Sequence, residues 1–202
     1  MTIGILSLLI AYLLGGVPFG YLLVKWTSGR DVRTSGSGNI GATNVLRTAG
    51  RAAGITTLVL DIAKGYVAVW LVGRMTGDSP LWTSAAALAV MLGHAFPAAL
   101  KFKGGKAVAS CVGGFLRLTP LPLAAVVVVF AVTVAVTRYI SLGSIIAAGS
   151  LPLAVWLISH PEAPVTAAAL LAGAFVIWRH KSNIQRLHAG NENVFSFGGR
   201  RT

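Results

Sequence analysis

The chain has 202 residues, of which 55% are hydrophobic and 11% are charged, and its mean hydropathy is +0.76. Soluble domains carry about 25% charged residues, so this composition excludes an ordinary soluble domain and predicts an all-α membrane protein. The net charge of +12 does not require nucleic acid as a partner, because cytoplasmic loops of membrane proteins collect Lys and Arg and face anionic lipids. One cysteine, Cys111, excludes an internal disulfide and a thiolate metal cluster.

Seven apolar segments predict about seven transmembrane helices. The first, 3–24, is long enough to cross the hydrocarbon core, and Gly15, Gly16 and Pro18 predict close packing and a kink within it. It lacks a preceding basic residue and is followed by Lys25, which favours a retained helix over a signal peptide. The other segments are 52–72, 81–100, 107–118, 123–136, 145–158 and 165–178. Segment 107–118 is short, so a span and a re-entrant segment both stay open.

A glycine-rich polar stretch, Thr34 to Arg47, lies between the first two segments. Its small residues, hydroxyls and amides, closed by an arginine, are typical of a loop that cradles an anion. Gly36, Gly38 and Gly41 also match the dinucleotide fingerprint G-x-G-x-x-G. That motif needs a buried strand before it, and here an apolar span of membrane length precedes it, so we reject a dinucleotide site.

Two charges lie within the second segment. Asp61 and Lys64 are three residues apart and therefore share one helical face. Charged side chains in a bilayer are costly and usually face the bundle interior or a cavity. Two interpretations stay open, a mutually neutralising structural pair and a direct role in a site.

Further polar stretches follow the third, fifth and seventh segments. The basic turn 101–106 resembles half of a Walker A loop, but Leu100 replaces its first glycine and Ala107 follows Lys106 where Ser or Thr is needed. The next stretches are a brief turn at 137–144 and a tail at 179–192. We expect residues 1–192 to form a single membrane domain and residues 193–202 to form a disordered basic tail.

The charge distribution predicts which side each polar stretch occupies. With seven crossings and the N-terminus outside, 14 of the 17 Lys and Arg residues fall on the cytoplasmic side, in agreement with the positive-inside rule. The second, fourth and sixth helices would then begin there, each after a polar turn, and helix N-termini attract anions. Ordinary basic loops against lipid headgroups would explain the Lys and Arg but not the accompanying Ser, Asn and Gly. We therefore predict a phosphate-handling site at the cytoplasmic mouth.

Five ordered blocks of this chain resemble the bacterial acyl-phosphate:glycerol-3-phosphate acyltransferases. The blocks are Gly36-Ser37-Gly38-Asn39-Ile40-Gly41-Ala42-Thr43-Asn44-Val45-x-Arg47; Asp61-x-x-Lys64-Gly65; Gly93-His94-x-Phe96-Pro97 with Phe102-Lys103-Gly104-Gly105-Lys106; Arg138-Tyr139-Ile140-Ser141-Leu142-x-Ser144; and Arg179-His180-x-x-Asn183-Ile184-x-Arg186-Leu187-x-x-Gly190-x-Glu192. One departure is Ala107, where the family leads us to expect glycine. The resemblance implies seven helices, a cytoplasm-facing site in the inner membrane, and acyl phosphate and glycerol 3-phosphate as substrates.

The resemblance also implies roles for particular residues. Candidate phosphate ligands are Ser37, Asn39, Thr43, Asn44, Arg47, Lys103, Gly104, Gly105 and Lys106. Arg138, Ser141 and Ser144 are expected to close the cradle, and His180, Asn183, Arg186 and Glu192 to orient glycerol phosphate. The catalytic candidates are Ser37, Lys106, His180 and Asn183. The general base stays open between His94, His180 and a substrate phosphate oxygen. No cofactor and no metal are expected, and the enzyme that makes acyl phosphate is a candidate partner.

A transporter or flippase for a phosphorylated metabolite is the main alternative. Asp61 and Lys64 would be its coupling residues, but such transporters often contain repeated halves, and no internal repeat is visible here. A non-catalytic lipid-binding scaffold would not need the Asn and Ser residues of the loops.

Overall fold

The computed structural model describes residues 1–195, which are helical with connecting turns and contain no strand. They form two compact units, the first from Met1 to Leu118 and the second beginning at Thr119. We call them unit 1 and unit 2 and describe each separately. The predicted disordered tail lies outside the described residues from 196 onward. At its near end, the Phe195 N–H donates a hydrogen bond to the Arg138 carbonyl at 2.7 Å.

Unit 1 contains six α-helices and two short 3-10 turns. The helices are α1 (Thr2–Gly15), α2 (Phe19–Ser28), α3 (Ala42–Ala49), α4 (Arg51–Thr76), α5 (Pro80–Ala95) and α6 (Val108–Leu118). The 3-10 turns are Val32–Thr34 and Ala98–Leu100. α1 and α2 together form one apolar span, which is interrupted at Gly16–Pro18 because proline lacks the backbone N–H that a continuous helix needs. The interruption falls where the sequence predicts a kink.

The core of unit 1 is built from small side chains on three helices. Ala11 of α1 packs with residues of α4 and α5, among them Val69, Val72, Ala87 and Val90. Small residues let helix backbones approach closely, which is how helices associate where lipid supplies no hydrophobic driving force. α4 also packs along α6, and α1 along α5. α4 is therefore the central helix of unit 1.

The helix after the glycine-rich loop differs from the expected one. The sequence predicts that the second span starts directly after the loop, but the short helix α3 intervenes and ends at Gly50, whose φ is 92°. Only then does α4 begin. Arg47 consequently lies in the last turn of a short helix and not at the start of a membrane span.

The described part of unit 2, residues 119–195, contains four helices. They are α7 (Pro120–Thr137), α8 (Ile140–Ser159), α9 (Ala163–Arg179) and α10 (Lys181–His188). One prediction was wrong in detail, since the polar turn expected at 137–144 is shorter and α8 already begins at Ile140. The tail at 179–192, for which no secondary structure was predicted, carries α10.

The helices have the length and polarity of an integral membrane protein. Five apolar helices or helix pairs in the described residues are long enough to span a membrane, and α9 with α10, bent by 55°, would make a sixth. α6 is apolar but has only 11 residues, as its sequence predicts. Large apolar side chains remain exposed on the spans, such as Ile55 and Val59 on α4, and in a bilayer these contact lipid. The all-α membrane fold is confirmed, while the orientation of the termini stays a prediction.

Candidate active site

The side-chain amide of Asn44 organises the glycine-rich loop. Asn44 lies on α3 with only 2% of its surface exposed. Its Oδ1 accepts a hydrogen bond from the Ser37 N–H at 2.8 Å. Its Nδ2 lies within 3.2 Å of three carbonyl oxygens, those of Val32, Ser35 and Asn39. An amide nitrogen carries two hydrogens, so these acceptors already saturate it. Asn44 therefore holds the loop together from within, which differs from the predicted role of a phosphate ligand.

An apolar cluster joins the loop to the basic turn that follows α5. Its buried members are Val24, Val32, Ile40, Val45 and Leu100. Val32 and Ile40 flank the glycine-rich loop, and Leu100 directly precedes the basic turn 101–106. The two polar segments of unit 1 that the sequence predicts to converge are thus neighbours on one apolar support.

The other candidate ligands near the loop differ in their exposure. Ser37 and Arg47 are exposed, and Asn39 and Thr43 are half-buried. Asn39 Oδ1 accepts a hydrogen bond from the Gly41 N–H at 2.8 Å, which fixes the turn before α3. The Ser37 hydroxyl and the Arg47 guanidinium are therefore accessible beside a loop whose backbone is held by the Asn39 and Asn44 side chains.

Arg33 is neutralised within the loop. Its Nη2 lies 2.7 Å from Oδ2 of Asp31, and its guanidinium lies 5.0 Å from the ring centroid of Tyr21. The hydrogen bond from Arg33 holds the pKa of Asp31 below its usual value. A lowered folded-state pKa means that this pair stabilises the loop at neutral pH and that the effect is lost as the pH falls through the lowered pKa. Arg33 is thus a structural cation.

The basic turn is folded back onto the end of α5. The Gly104 N–H donates to the Ala95 carbonyl and the Gly105 N–H to the His94 carbonyl, both at 3.1 Å. A Cβ on Gly105 would overlap Nε2 of the His94 ring, so any larger residue there would require the ring to shift. The amide groups of both glycines donate within the chain, and their predicted contact with phosphate stays a prediction. Lys103 is exposed and Lys106 half-buried beside them.

Sequence reasoning missed that Tyr12 supports this turn. Its hydroxyl donates a hydrogen bond to the Phe96 carbonyl at 2.6 Å, across 84 residues of sequence. A phenol in an otherwise apolar span was the available signal, since a buried Tyr hydroxyl usually has a partner.

In unit 2, His180 lies at the bend between α9 and α10. It is buried, and its Nδ1 lies 2.7 Å from the Val176 carbonyl oxygen. A carbonyl can only accept, so Nδ1 carries the hydrogen and Nε2 carries the lone pair in the neutral ring. The ring is therefore held in the tautomer that a general base or a hydrogen-bond acceptor needs at Nε2.

Glu192 connects two predicted ligands that lie on α10. Its Oε1 accepts from Nδ2 of Asn183 at 3.0 Å, and its Oε2 accepts from Nε of Arg186 at 2.8 Å. The carboxylate is buried, with 4% of the side chain exposed, whereas Arg186 is 34% exposed. Glu192 thus orients the amide and the guanidinium, and its predicted contact with glycerol phosphate stays a prediction.

The start of α8 carries the remaining candidates. Arg138 is exposed and ends α7 with a φ of 61°. The Ser144 hydroxyl donates to the Ile140 carbonyl at 2.9 Å, and the buried Ser141 Oγ has no hydrogen-bond partner among the described residues. The Ser141 hydroxyl, near the start of α8, can therefore form a hydrogen bond with a ligand. Its predicted meeting with the residues of unit 1 stays a prediction.

Comparison with known proteins gives a consistent picture over nearly the whole chain. The family model described as glycerol-3-phosphate acyltransferase matches residues 5–190. Proteins of that name from Geobacter metallireducens and Geotalea daltonii are 50% and 46% identical over 195 residues, which is 96% of this chain and 99% of each relative.

Solved structures agree with the sequence relatives. The glycerol 3-phosphate form of PlsY, described as an integral membrane glycerol 3-phosphate acyltransferase, matches with a TM-score of 0.90 and 36% identity over 96% of both chains. Its lysophosphatidic acid form matches with a TM-score of 0.86 and 34% identity over 96% of this chain and 95% of that one. The chain belongs to the glycerol-3-phosphate acyltransferase family, as the five sequence blocks predict.

Proposed function

We propose that this acyltransferase moves a fatty acyl group from acyl phosphate to the 1-hydroxyl of glycerol 3-phosphate, which gives lysophosphatidic acid and inorganic phosphate. One observation carries the choice of acceptor and product. The matched PlsY structures are described as a glycerol 3-phosphate form and a lysophosphatidic acid form, and these two molecules differ by one acyl group. Because the chain belongs to an acyltransferase family, we prefer this function to the transporter alternative.

The choice of donor rests on the chemistry that the chain can supply. Thioester-dependent glycerol phosphate acyltransferases use a His followed five positions later by Asp, and no His of this chain has that partner. The residues at those positions are Ala99, Val165, Gln185 and Asn193. Cys111 is buried on α6, in an apolar setting where a thiol is usually inert. Acyl phosphate is already activated by its phosphate leaving group, so it needs no covalent intermediate.

The reaction that we propose is a direct displacement. The 1-hydroxyl oxygen attacks the acyl carbonyl carbon, the bond from that carbon to the phosphate oxygen breaks, and the phosphate leaves with the bonding pair. The hydroxyl proton passes to a substrate phosphate oxygen or to Nε2 of His180. Fixed donors and cations would stabilise the charge that develops on the carbonyl and the leaving phosphate.

We propose substrate contacts in each unit separately. In unit 1, Ser37, Arg47 and Lys106 contact phosphate, with Asn39, Thr43 and Lys103 beside them. In unit 2, His180, Asn183 and Arg186 orient glycerol phosphate, and Arg138, Ser141 and Ser144 are further ligands. Asn44 acts by holding the glycine-rich loop, and Glu192 acts by orienting Asn183 and Arg186. Positioning and charge stabilisation, without a covalent nucleophile, are what such a set can provide.

A comparison of donors tests this function. Purified protein in detergent should form lysophosphatidic acid from glycerol 3-phosphate and acyl phosphate, and it should not do so from acyl-CoA of the same chain length. Cys111→Ala should behave like the wild type and serves as the control against an acyl-thioester route. Comparable turnover with acyl-CoA would show that the donor is wrong.

We also infer that the site faces the cytoplasm in the inner membrane, since 14 of the 17 Lys and Arg residues collect on one side in the predicted topology. A reporter fused after Glu192 should be active in the cytoplasm. A reporter that is active only on the opposite side of the membrane would show that the predicted topology is reversed. A cytosolic enzyme that makes acyl phosphate is the partner expected from this orientation.

A further inference from the structure

An ion pair is buried in the interior of unit 1. Nζ of Lys64 lies 2.8 Å from Oδ1 of Asp61 on α4, and the two side chains are only 4% and 3% exposed. Charges inside a membrane protein are expensive, and as a rule they mark function or a specific contact. The sequence left two interpretations open for this pair, and the contacts around it favour one of them.

Asp61 also contacts the histidine that carries the basic turn. Its Oδ1 lies 3.6 Å from Nδ1 of His94. The other nitrogen of that ring, Nε2, lies against Gly105, where a Cβ would overlap it, and the His94 carbonyl accepts the Gly105 N–H at 3.1 Å. His94 therefore contacts the turn through its ring and through its backbone, and Asp61 lies on the opposite edge of the same ring.

Lys64 fixes the pair to the break in the first span. Its Nζ donates to the Val17 carbonyl at 2.8 Å, where the helix is interrupted before Pro18. The ammonium also lies 5.6 Å from the ring centroid of Phe19. Its position is therefore set by three partners, Asp61, the carbonyl and the aromatic ring. These contacts connect the buried pair to the break in the first span.

The same helix also holds the segment that follows the turn. α4 and α6 approach so closely that a Cβ on Gly113 would overlap the Ile62 carbonyl oxygen. Ile62 lies between Asp61 and Lys64 in sequence, and α6 begins two residues after Lys106. The turn is thus held at Gly105 by His94 and after Lys106 by α6, and both supports lead to the same part of α4.

We propose that Asp61 and Lys64 are positioning residues, which set the orientation of His94 and, through it, the position of the turn that carries Lys106. The inference rests on the proposed phosphate-binding role of that turn. In this inference His94 supports the turn. The proton acceptor is then a substrate phosphate oxygen or Nε2 of His180. Misplacement of a reacting group by about 1 Å can cost roughly a hundredfold in rate, so a distant support can matter as much as a ligand.

The test is removal of both charges together. Removing one partner leaves an uncompensated buried charge, whereas replacing both with uncharged residues of similar volume is often tolerated. We expect Asp61→Asn/Lys64→Met protein to unfold near the wild-type temperature in detergent, while its kcat/KM falls at least about tenfold, through a higher KM for a phosphate-bearing substrate or a lower kcat. The matched control is Asp78→Asn/Arg117→Met, an exposed ion pair at the far end of α6, which should keep wild-type kinetics.

Wild-type kinetics in the folded double variant would reduce the pair to a structural role and overturn the inference. If that variant does not fold, His94→Gln gives the same decision, since it keeps a hydrogen-bonding side chain but loses the ring that lies against Gly105. A folded His94→Gln protein with wild-type kinetics would also contradict the inference.

Lys106→Ala separates the positioning role of the ion pair from the phosphate-binding role of the turn. If it loses activity while the double variant does not, only the positioning role fails, and wild-type rates in Lys106→Ala would refute the phosphate role itself.

Discussion

Arg47→Lys is expected to damage catalysis nearly as much as Arg47→Ala, although the lysine keeps the charge. A guanidinium offers a planar fork that matches two phosphate oxygens, whereas an ammonium acts as a point charge. Hydrogen bonds to charged groups contribute about 1.5–3 kcal/mol, which corresponds to a fall in kcat/KM of roughly ten- to a hundredfold for one lost contact. Arg47 is exposed on α3, so its replacement should leave the helix packing intact.

Steady-state kinetics on correctly inserted Arg47→Lys protein decides this, with Lys106→Ala measured in parallel. The control is Arg30→Ala, which removes an exposed charge just before the glycine-rich stretch and should leave the rates unchanged. If Arg47 were only a topogenic charge, Arg47→Lys would be silent. Wild-type rates in both the Arg47 and Lys106 variants would mean that the phosphate contacts have been assigned to the wrong residues.

Asn44→Asp is expected to abolish most activity, although it changes the side chain by a single group. The carboxylate would keep an acceptor for the Ser37 N–H but would face the carbonyls of Val32, Ser35 and Asn39 with no donor. A buried polar group that loses its partner costs about 1–3 kcal/mol, and here three acceptors share one donor group. The loop should lose its shape, and we expect kcat/KM to fall by about a hundredfold or more.

Circular dichroism should still report the helices, because the membrane core of unit 1 does not involve Asn44. Thr48→Val is the matched control, since the Thr48 hydroxyl makes one hydrogen bond, to the Asn44 carbonyl on the same helix, and a smaller loss is expected. An Asn44→Asp enzyme as active as Thr48→Val would contradict the supporting role of this amide.

Most of the membrane-spanning helices could be predicted from the sequence, because apolar runs and their charged flanks are visible in the order of residues along the chain. The break at Pro18 and the shared face of Asp61 and Lys64 follow from local geometry. The short helices α3 and α10 could not be predicted in this way. Thr43, Asn44 and Thr48 are poor helix formers, and α3 is secured by packing of Val45 into a cluster whose members are distant in sequence.

Side-chain roles were harder to predict than positions. In a glycine-rich run, an asparagine is typical of a ligand, and only the folded loop reveals that the Asn44 amide is turned inward. Glu192 presents the same difficulty, because its partners Asn183 and Arg186 are brought to it by a helix that the sequence did not predict. The direction of a side chain in a non-periodic segment depends on the backbone path, which hydrophobic patterns do not encode.

Phosphate release by the purified protein tests direct transfer most directly. With acyl phosphate and glycerol 3-phosphate together, one phosphate should appear for each lysophosphatidic acid formed. With acyl phosphate alone, no burst of phosphate should occur and the mass of the intact protein should not change, because no group of the chain accepts the acyl. A burst of one phosphate per protein, together with a protein mass increased by one acyl group, would contradict direct transfer and establish a covalent intermediate.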